Sequence, residues 1–455
     1  MGFCYALANL IYFFMRNNIA NPDMRLLKYQ IREIMDVAQK LGELDPSFKF
    51  VGENIGDPIV KSWTVPPFLK EEMIAEISKP GDAVFGYSHS RGWPATRKWV
   101  VEYAKRYSPS STLNYEYVVF SNGLGAAIGL LYQMLPAGAR ILQPAPSYPT
   151  HTSLESFAAK ADPVMYQLDP ENDWQPDLAD MEAKIKSNPK ITGILLINPN
   201  NPTGTVYSAE TLEKIIKLAE QYKLMIISDE VYFRMVYNGA KYVQITELAQ
   251  GRIPLIVLRG ISKDLPWPGS RCGWVEFHNV ELDPDYKAYA DGVRQRILLE
   301  VCSTTLPQVI LPRVYDNPGF AAWLEHNNKE LEANGNYITE VLNNTKGLRV
   351  NRPDGAFYMM PLFKDGVLND KQTLPIANEA ARKYIEEQVS KPGFALDKRF
   401  TYYLLAATGI CVVPASGFYC PHPGFRLTTL ERDPSKRKDT YGRLSKAVED
   451  YLAST

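Results

Sequence analysis

The stretch GISKDLPWPGSRCGW, residues 260 to 274, places a lysine after one apolar run and before a proline-rich loop. Ser262 precedes Lys263, and Arg271 follows eight residues on, leading into a second apolar run, CGWVEF. Pro266, Pro268 and Gly269 make the segment between them a turn rather than helix or strand. A lysine in such a place is ordinarily a solvated surface group. Two cations at one loop also suit a site that needs an amine nucleophile beside an anion-binding guanidinium. Other polar groups fall at comparable places. Asp229 follows LMIIS and is either a cap for the next element or an acid at the tip of a buried strand, with Tyr232 three residues on. Asn201 lies in NPNNPTG, which backbone preference alone would make a turn. Asn122, Gly123 and Leu124 lie in SNGLGAA, which is either a packing cluster or a set of free N–H groups at a helix start.

These clusters need elements to position them. From about residue 92 to 275, short apolar runs (YVVFSNG, RILQPAPSYP, ITGILLINPNNPTG, LMIISDEVY, IPLIVLRGISK) alternate with helical stretches. Such runs predict βα units and a mainly parallel sheet covered on both faces. Ligands on such sheets bind beyond the carboxyl ends of the strands, where the polar clusters fall. An amphipathic helix is predicted over 25–42, followed by the extended FKFVGENIGDP. From about 315 a long polar helix, the strand GAFYMMPLF, GICVVPASGFY, GFRLTTL and a final helix predict a smaller α+β lobe, completed by residues 25 to 55. The expected division is 1–60 for an N-terminal arm and part of the small domain, 61–320 for the large domain, and 321–455 for the small C-terminal domain.

The 455 residues exceed what one hydrophobic core usually supports, in keeping with two lobes. With 45% hydrophobic and 22% charged residues and a formal net charge of −1, the chain has no field that would attract nucleic acid or an anionic membrane. The five cysteines are odd in number and scattered, and with the five histidines they give no zinc-site spacing. No metal is expected, and free thiols in the cytoplasm are the plain reading. The opening MGFCYALANLIYFFM is apolar but too short for a confident span, and lacks the basic region and cleavage site of a signal peptide. It reads as a helix packed on a partner subunit or as residues preceding a start at Met15, with a weak membrane anchor as the third alternative.

A lysine amine, a buried acid, a phenol, an amide and a phosphate cradle are together what pyridoxal 5'-phosphate chemistry uses. The order SNGxGAA, PxYP, NPNNPTG, SDEVY, SKxxxxPGxRxGW and FRL resembles the fold-type I aminotransferases, the aspartate/aromatic aminotransferase family, from roughly residue 30 onward. The resemblance implies an α/β fold: a mainly parallel, seven-stranded-type sheet in a large cofactor-binding domain, plus a smaller α+β domain formed by both chain ends. It implies a transaminase that passes an amino group, by a ping-pong cycle, from an α-amino acid (aspartate, aromatic or broad) to a 2-oxo acid such as 2-oxoglutarate.

The resemblance also assigns roles. Lys263 resembles the Schiff-base lysine and later proton carrier, and Asp229 the partner of the ring nitrogen. Tyr232 and Asn201 resemble the donors to the ring oxygen, with Asn201 also near substrate. Asn122, Gly123 and Leu124 match the phosphate cradle, helped by Ser262 and Arg271, and Tyr148 of PSYP the aromatic stacked on the ring. Arg426 of GFRLTT resembles the clamp on the substrate α-carboxylate, and Gly56 the glycine lying over the substrate. Tyr87 of FGYSHSRG resembles the tyrosine that reaches the neighbouring subunit's phosphate, which implies a homodimer with shared sites. There are departures: Gly260 stands where many relatives carry serine or threonine, and Trp267 and VCSTTLPQ differ from the commonest members near the expected pocket. Arg91, Arg294 and Arg296 are equal candidates for a second carboxylate receptor. The same motifs suit a β-lyase or decarboxylase. A non-enzymatic regulatory role runs against the intact Lys263.

Overall fold

The computed structural model describes residues 19–454, so the apolar opening segment lies outside the described residues. Eight strands form the central sheet: β1 (Val118–Asn122), β2 (Arg140–Ala145), β3 (Met165–Asp169), β4 (Gln175–Pro176), β5 (Ile191–Ile197), β6 (Met225–Asp229), β7 (Leu255–Gly260) and β8 (Cys272–His278). They lie in the order β1-β8-β7-β6-β5-β2-β3-β4. The pairs β2–β3, β2–β5, β5–β6 and β6–β7 are parallel. β8 runs antiparallel to both of its neighbours, and the two-residue β4 caps the far edge antiparallel to β3. The sheet thus has one strand more than the seven expected, a short edge that its own proline ends.

The uninterrupted apolar runs have a direct cause. In β5, Ile194 and Leu196 pack into a core on one face with Ile226, Leu255 and Tyr166. Leu195 and Ile197 pack into the core on the other face with Ile227, Leu258 and Val275. A strand buried on both faces cannot alternate polar with apolar residues. The reversal of β8 matters for the site. Its amino end, led by Arg271, lies beside the carboxyl ends of its neighbours, in register through the pairs Asn122–Cys272 and Gly260–Gly273.

A second core unites the chain ends. Ile34, Val37 and Leu41 of helix α1 (Gln30–Leu44) pack with Ile338, Leu342, Phe400, Leu404, Tyr441 and Val448. Val51 and Gly52 pair in parallel with Ile410 and Cys411. Tyr358 and Met359 pair antiparallel with Thr428 and Leu427, and Val413 and Pro414 with Arg426 and Phe425.

The expected helix over 25–42 is broken. Pro22–Leu26 is one turn of 3-10 helix and α1 starts only at Gln30. Tertiary contacts override the local pattern, because the Lys28 N–H donates to Ser153 Oγ (3.2 Å) and the Ser153 hydroxyl donates to the Lys28 carbonyl. Among the described residues no helix is long and apolar enough to cross a membrane.

Because α1 supplies part of the second core, Ile34→Ala should destabilise the folded chain by about 2–4 kcal/mol, the usual cost of truncating a buried aliphatic residue. Denaturant unfolding followed by circular dichroism measures it; an unchanged midpoint would place α1 outside that core.

Candidate active site

The carboxyl ends of β1, β2, β5, β6 and β7 and the amino end of β8 surround one cavity of about 590 Å³. Gly56, Leu124, Tyr148, Asn201, Asp229, Tyr232, Ser262, Lys263, Arg271 and Arg426 all line it. Asn122 and Gly123 lie beside it under the Arg271 side chain, whose Nη2 donates to the Asn122 carbonyl at 3.4 Å. Tyr87 is elsewhere: it is 86% exposed and is not part of the cavity wall.

Gly123 sits at φ +81° before helix α2 (Leu124–Gln133), and a side chain there would put its Cβ 2.5 Å from Arg271 Nη2. Only glycine leaves that guanidinium over the first turn of the helix, where amide groups have no intrahelical acceptor. Together they form a concave donor surface for an anion. Gly260 has a packing reason: a Cβ there would lie 3.2 Å from the Cys272 carbonyl and 3.6 Å from Leu124 Cγ. Leu124 fills the space above Gly273, and at 260 a side chain would press on the Cys272 carbonyl.

Asp229 is buried at the last position of β6. Its Oδ1 accepts from the Val231 N–H at 3.2 Å, and its Oδ2 lies 3.0 Å from His151 Nε2. His151 Nδ1 in turn lies 2.7 Å from the Tyr132 hydroxyl. Burial pushes the Tyr132 phenol well above its ordinary range, so it keeps its proton. With that phenol donating to Nδ1, the other ring nitrogen, Nε2, is the donor to Asp229.

Lys263 follows β7, and its amine donates to the Gly56 carbonyl at 2.8 Å. Tyr232 donates its hydroxyl to Tyr358 at 3.2 Å, and burial beside Tyr358 raises its phenol well above the ordinary value. It therefore stays a hydrogen-bond donor at neutral pH. Tyr148 precedes helix α3 (Pro149–Ala159) and its hydroxyl meets that of Tyr29 at 3.3 Å. Cys272 is a packed thiol, pushed up to about 12 by burial, and has no reactive thiolate at neutral pH.

Arg426 is only 2% exposed. Its Nη1 donates to Asn201 Oδ1 at 3.1 Å and its Nη2 to the Asn54 carbonyl. The guanidinium carbon lies 4.5 Å from the Tyr358 ring centroid and 4.8 Å from that of Phe418.

Sequence reading missed four members of this neighbourhood. His151 stands one helical turn after Tyr148, the spacing that shares a helix face, and that was its only signal. Tyr358 lies in GAFYMMPLF, which read only as a strand, with nothing to single out the tyrosine. Tyr29 and Arg32 reach the cavity wall because the predicted helix is broken at residues 27–29. Arg91, Arg294 and Arg296 do not line the cavity: they pair with Glu116, with Glu116 and Asp291, and with Glu300 respectively. Trp267 packs against the core around Trp274 and Ile310 rather than lining the cavity, and Thr304 of VCSTTLPQ donates its N–H to Asn122 Oδ1 at 3.2 Å.

The chain matches the family described as aminotransferase class I and II over residues 54–437. It is 42% identical over 438 residues to an uncharacterized aminotransferase of Methanocaldococcus jannaschii, covering 96% of this chain and all of that one. It is 29% identical over 409 residues to a glutamate-pyruvate aminotransferase of Escherichia coli, covering 89% and 91% of the two chains. In structure it is similar to an alanine aminotransferase from Pyrococcus furiosus, with a TM-score of 0.80 at 29% identity over 94% of this chain and 98% of that one. The chain belongs to the class I and II aminotransferases and is a transaminase of fold type I.

Proposed function

We propose that this transaminase holds pyridoxal 5'-phosphate at the carboxyl edge of the sheet and exchanges amino groups between a free α-amino acid and a 2-oxo acid, 2-oxoglutarate among them. The observation that carries the reading is the convergence of Lys263, Asp229 and Arg426 on one cavity. The donor set fits the cofactor. The surface of Gly123, the first turn of α2, Ser262 and Arg271 suits its phosphate, with Asn122 alongside. Asp229 suits the ring nitrogen, and the Tyr232 hydroxyl and Asn201 amide suit the ring oxygen. Tyr148 offers an aromatic face. When bound, the cofactor supplies an aldehyde and an electron-withdrawing ring.

The chain's own groups do the rest. The Lys263 amine would hold the cofactor through its aldehyde and, when free, would carry a proton at the substrate Cα. The Asp229 carboxylate, fixed by His151 and the Val231 N–H, holds a proton on the ring nitrogen. Arg426 takes the substrate α-carboxylate through a planar fork that matches two oxygens at once. The Gly56 segment covers this part of the cavity.

Arg32 lines the same cavity and, among the described residues, has no carboxylate partner within 4 Å. It is the receptor in this chain for the distal carboxylate of a five-carbon substrate. The relatives' printed activities, glutamate-pyruvate, alanine and tyrosine aminotransferase, support a glutamate, alanine or aromatic donor alike.

Phe85, Tyr87 and Leu299 are large, exposed apolar side chains. They support a homodimer in which Tyr87 of the partner subunit completes the phosphate contacts. Tyr87→Phe should then weaken cofactor binding several-fold in a dimer of unchanged mass, read by equilibrium dialysis and light scattering.

The test is the absorbance of the purified holoenzyme through a panel of amino acids. The lysine-bound cofactor band should collapse with particular donors and return with 2-oxoglutarate. A band that no amino acid converts reversibly would overturn transamination in favour of a lyase or decarboxylase. Lys263→Ala should lower turnover by at least about 10²–10⁴-fold, the usual worth of a positioned proton-transfer group. Arg32→Gln should raise KM for 2-oxoglutarate about tenfold, one charge-assisted hydrogen bond, while KM for pyruvate stays within about twofold. Equal effects on both acids would remove Arg32 from the distal position.

A further inference from the structure

Directly behind the amine lies a charged pair that the reaction itself does not use. Asp264, the residue after Lys263, is buried, with 4% of its surface exposed. Its Oδ2 accepts from Arg234 Nη1 at 2.6 Å and from the Tyr315 hydroxyl at 2.8 Å, while Oδ1 accepts from the Leu265 N–H at 3.0 Å. Both oxygens are therefore committed, and the carboxylate has no freedom to swing.

Arg234 sits two residues after Tyr232 and is held just as firmly. Its guanidinium carbon lies 4.0 Å from the Phe233 ring centroid and 4.1 Å from that of Tyr315, with Tyr103 at 5.1 Å. Nε and Nη2 have no oxygen acceptor and lie within this aromatic box. The Arg234 carbonyl accepts from Asn328 Nδ2 at 2.9 Å, which fastens the same residue to the helix Phe320–Asn343.

The pair thus joins two loops that the reading above requires to act on one molecule: the loop carrying Tyr232 and the loop carrying Lys263. A lysine stem has four rotatable bonds, so its amine is aimed only if the backbone from which it starts is fixed. The side-chain hydrogen bonds of Asp264 fix that backbone one residue away. The expected pocket-edge loop DLPWPGS gains a purpose here, since its first residue is the anchor. On the reading that Lys263 carries the proton transfer, we propose that Asp264, clamped by Arg234 and Tyr315, is the positioning residue for the Lys263 amine.

The pair could serve stability alone, as buried ion pairs do when one partner is removed. The test therefore separates aim from scaffold. In full-length holoenzyme, Asp264→Asn should lower the rate of proton removal from the amino acid, followed in single turnover, by tenfold or more. A misplacement of about 1 Å is enough for such a loss. In a Lys263→Ala background restored by free methylamine, the same substitution should change the restored rate less than twofold, because an untethered amine needs no anchor. In cofactor-free protein, labelling of Lys263 by an amine-reactive reagent, read by peptide mass spectrometry, should change several-fold on Asp264→Asn as the contact with Gly56 loosens. Should Asp264→Asn fail to fold, Arg234→Met/Asp264→Asn, which buries no unpaired charge, takes its place with the same expectations. Equal losses with tethered and free amine, or unchanged rates together with unchanged labelling, would overturn the positioning role. Wild-type turnover in Lys263→Ala would instead overturn the assignment of Lys263, which that variant reports on its own.

Discussion

A buried cation without a buried anion organises this molecule. Arg426 is sequestered from solvent and, among the described residues, no carboxylate lies within ion-pair distance of it. Charge taken out of water at that depth is costly unless something compensates it. The compensation here is neutral and partial: the oxygen of Asn201, the carbonyl of Asn54 and the faces of Tyr358 and Phe418. These contacts come from four separate parts of the chain. Holding them around one guanidinium requires the strand Phe425–Thr428, the NPNNPTG turn and the segment after Val51 to meet. The same arrangement leaves the cation with unmet demand for an anion, which is the property a carboxylate-binding site needs.

The sheet provides the rigid counterpart. Because β8 runs against its neighbours, the arginine just before it and the lysine that follows β7 arrive at one edge, with only seven residues between them. Asp229 reaches that edge as the last residue of β6. The parallel strands give position without flexibility. The short loops beyond them carry the chemistry, so a side chain there is aimed by a backbone that the core already fixes.

Much of this was legible in the sequence where a side chain is tied to a strand end by a few residues. Asp229, Lys263 and Asn201 each follow a mostly apolar run, which fixes both the burial of the strand and the place of what comes next at its carboxyl end. The sheet's eighth strand was not legible, since two residues pairing at an edge leave no pattern. The break before α1 was hidden because it depends on Ser153, over a hundred residues away. The Arg234–Asp264 pair was hidden for a related reason. Nothing in SDEVYFR or SKDL marks a buried ion pair, and only the packing of Tyr103, Phe233 and Tyr315 around the arginine makes that position tolerable. Gly260 looked like a missing hydroxyl, and the close approach of the Cys272 carbonyl gives the small residue a packing reason.

The interrupted N-terminal helix has a mechanical consequence. Lys28 is pinned to Ser153 on α3 and Ile31 packs into the sheet-side core, while Ile34, three residues on in α1, already lies in the second core. The chain crosses from one anchorage to the other in about three residues, a stretch that can extend no further than roughly 10 Å. Any parting of the two cores at this side of the cavity is therefore leashed. How far this side of the cavity can open is thus set by tether length, independent of any contact a ligand makes.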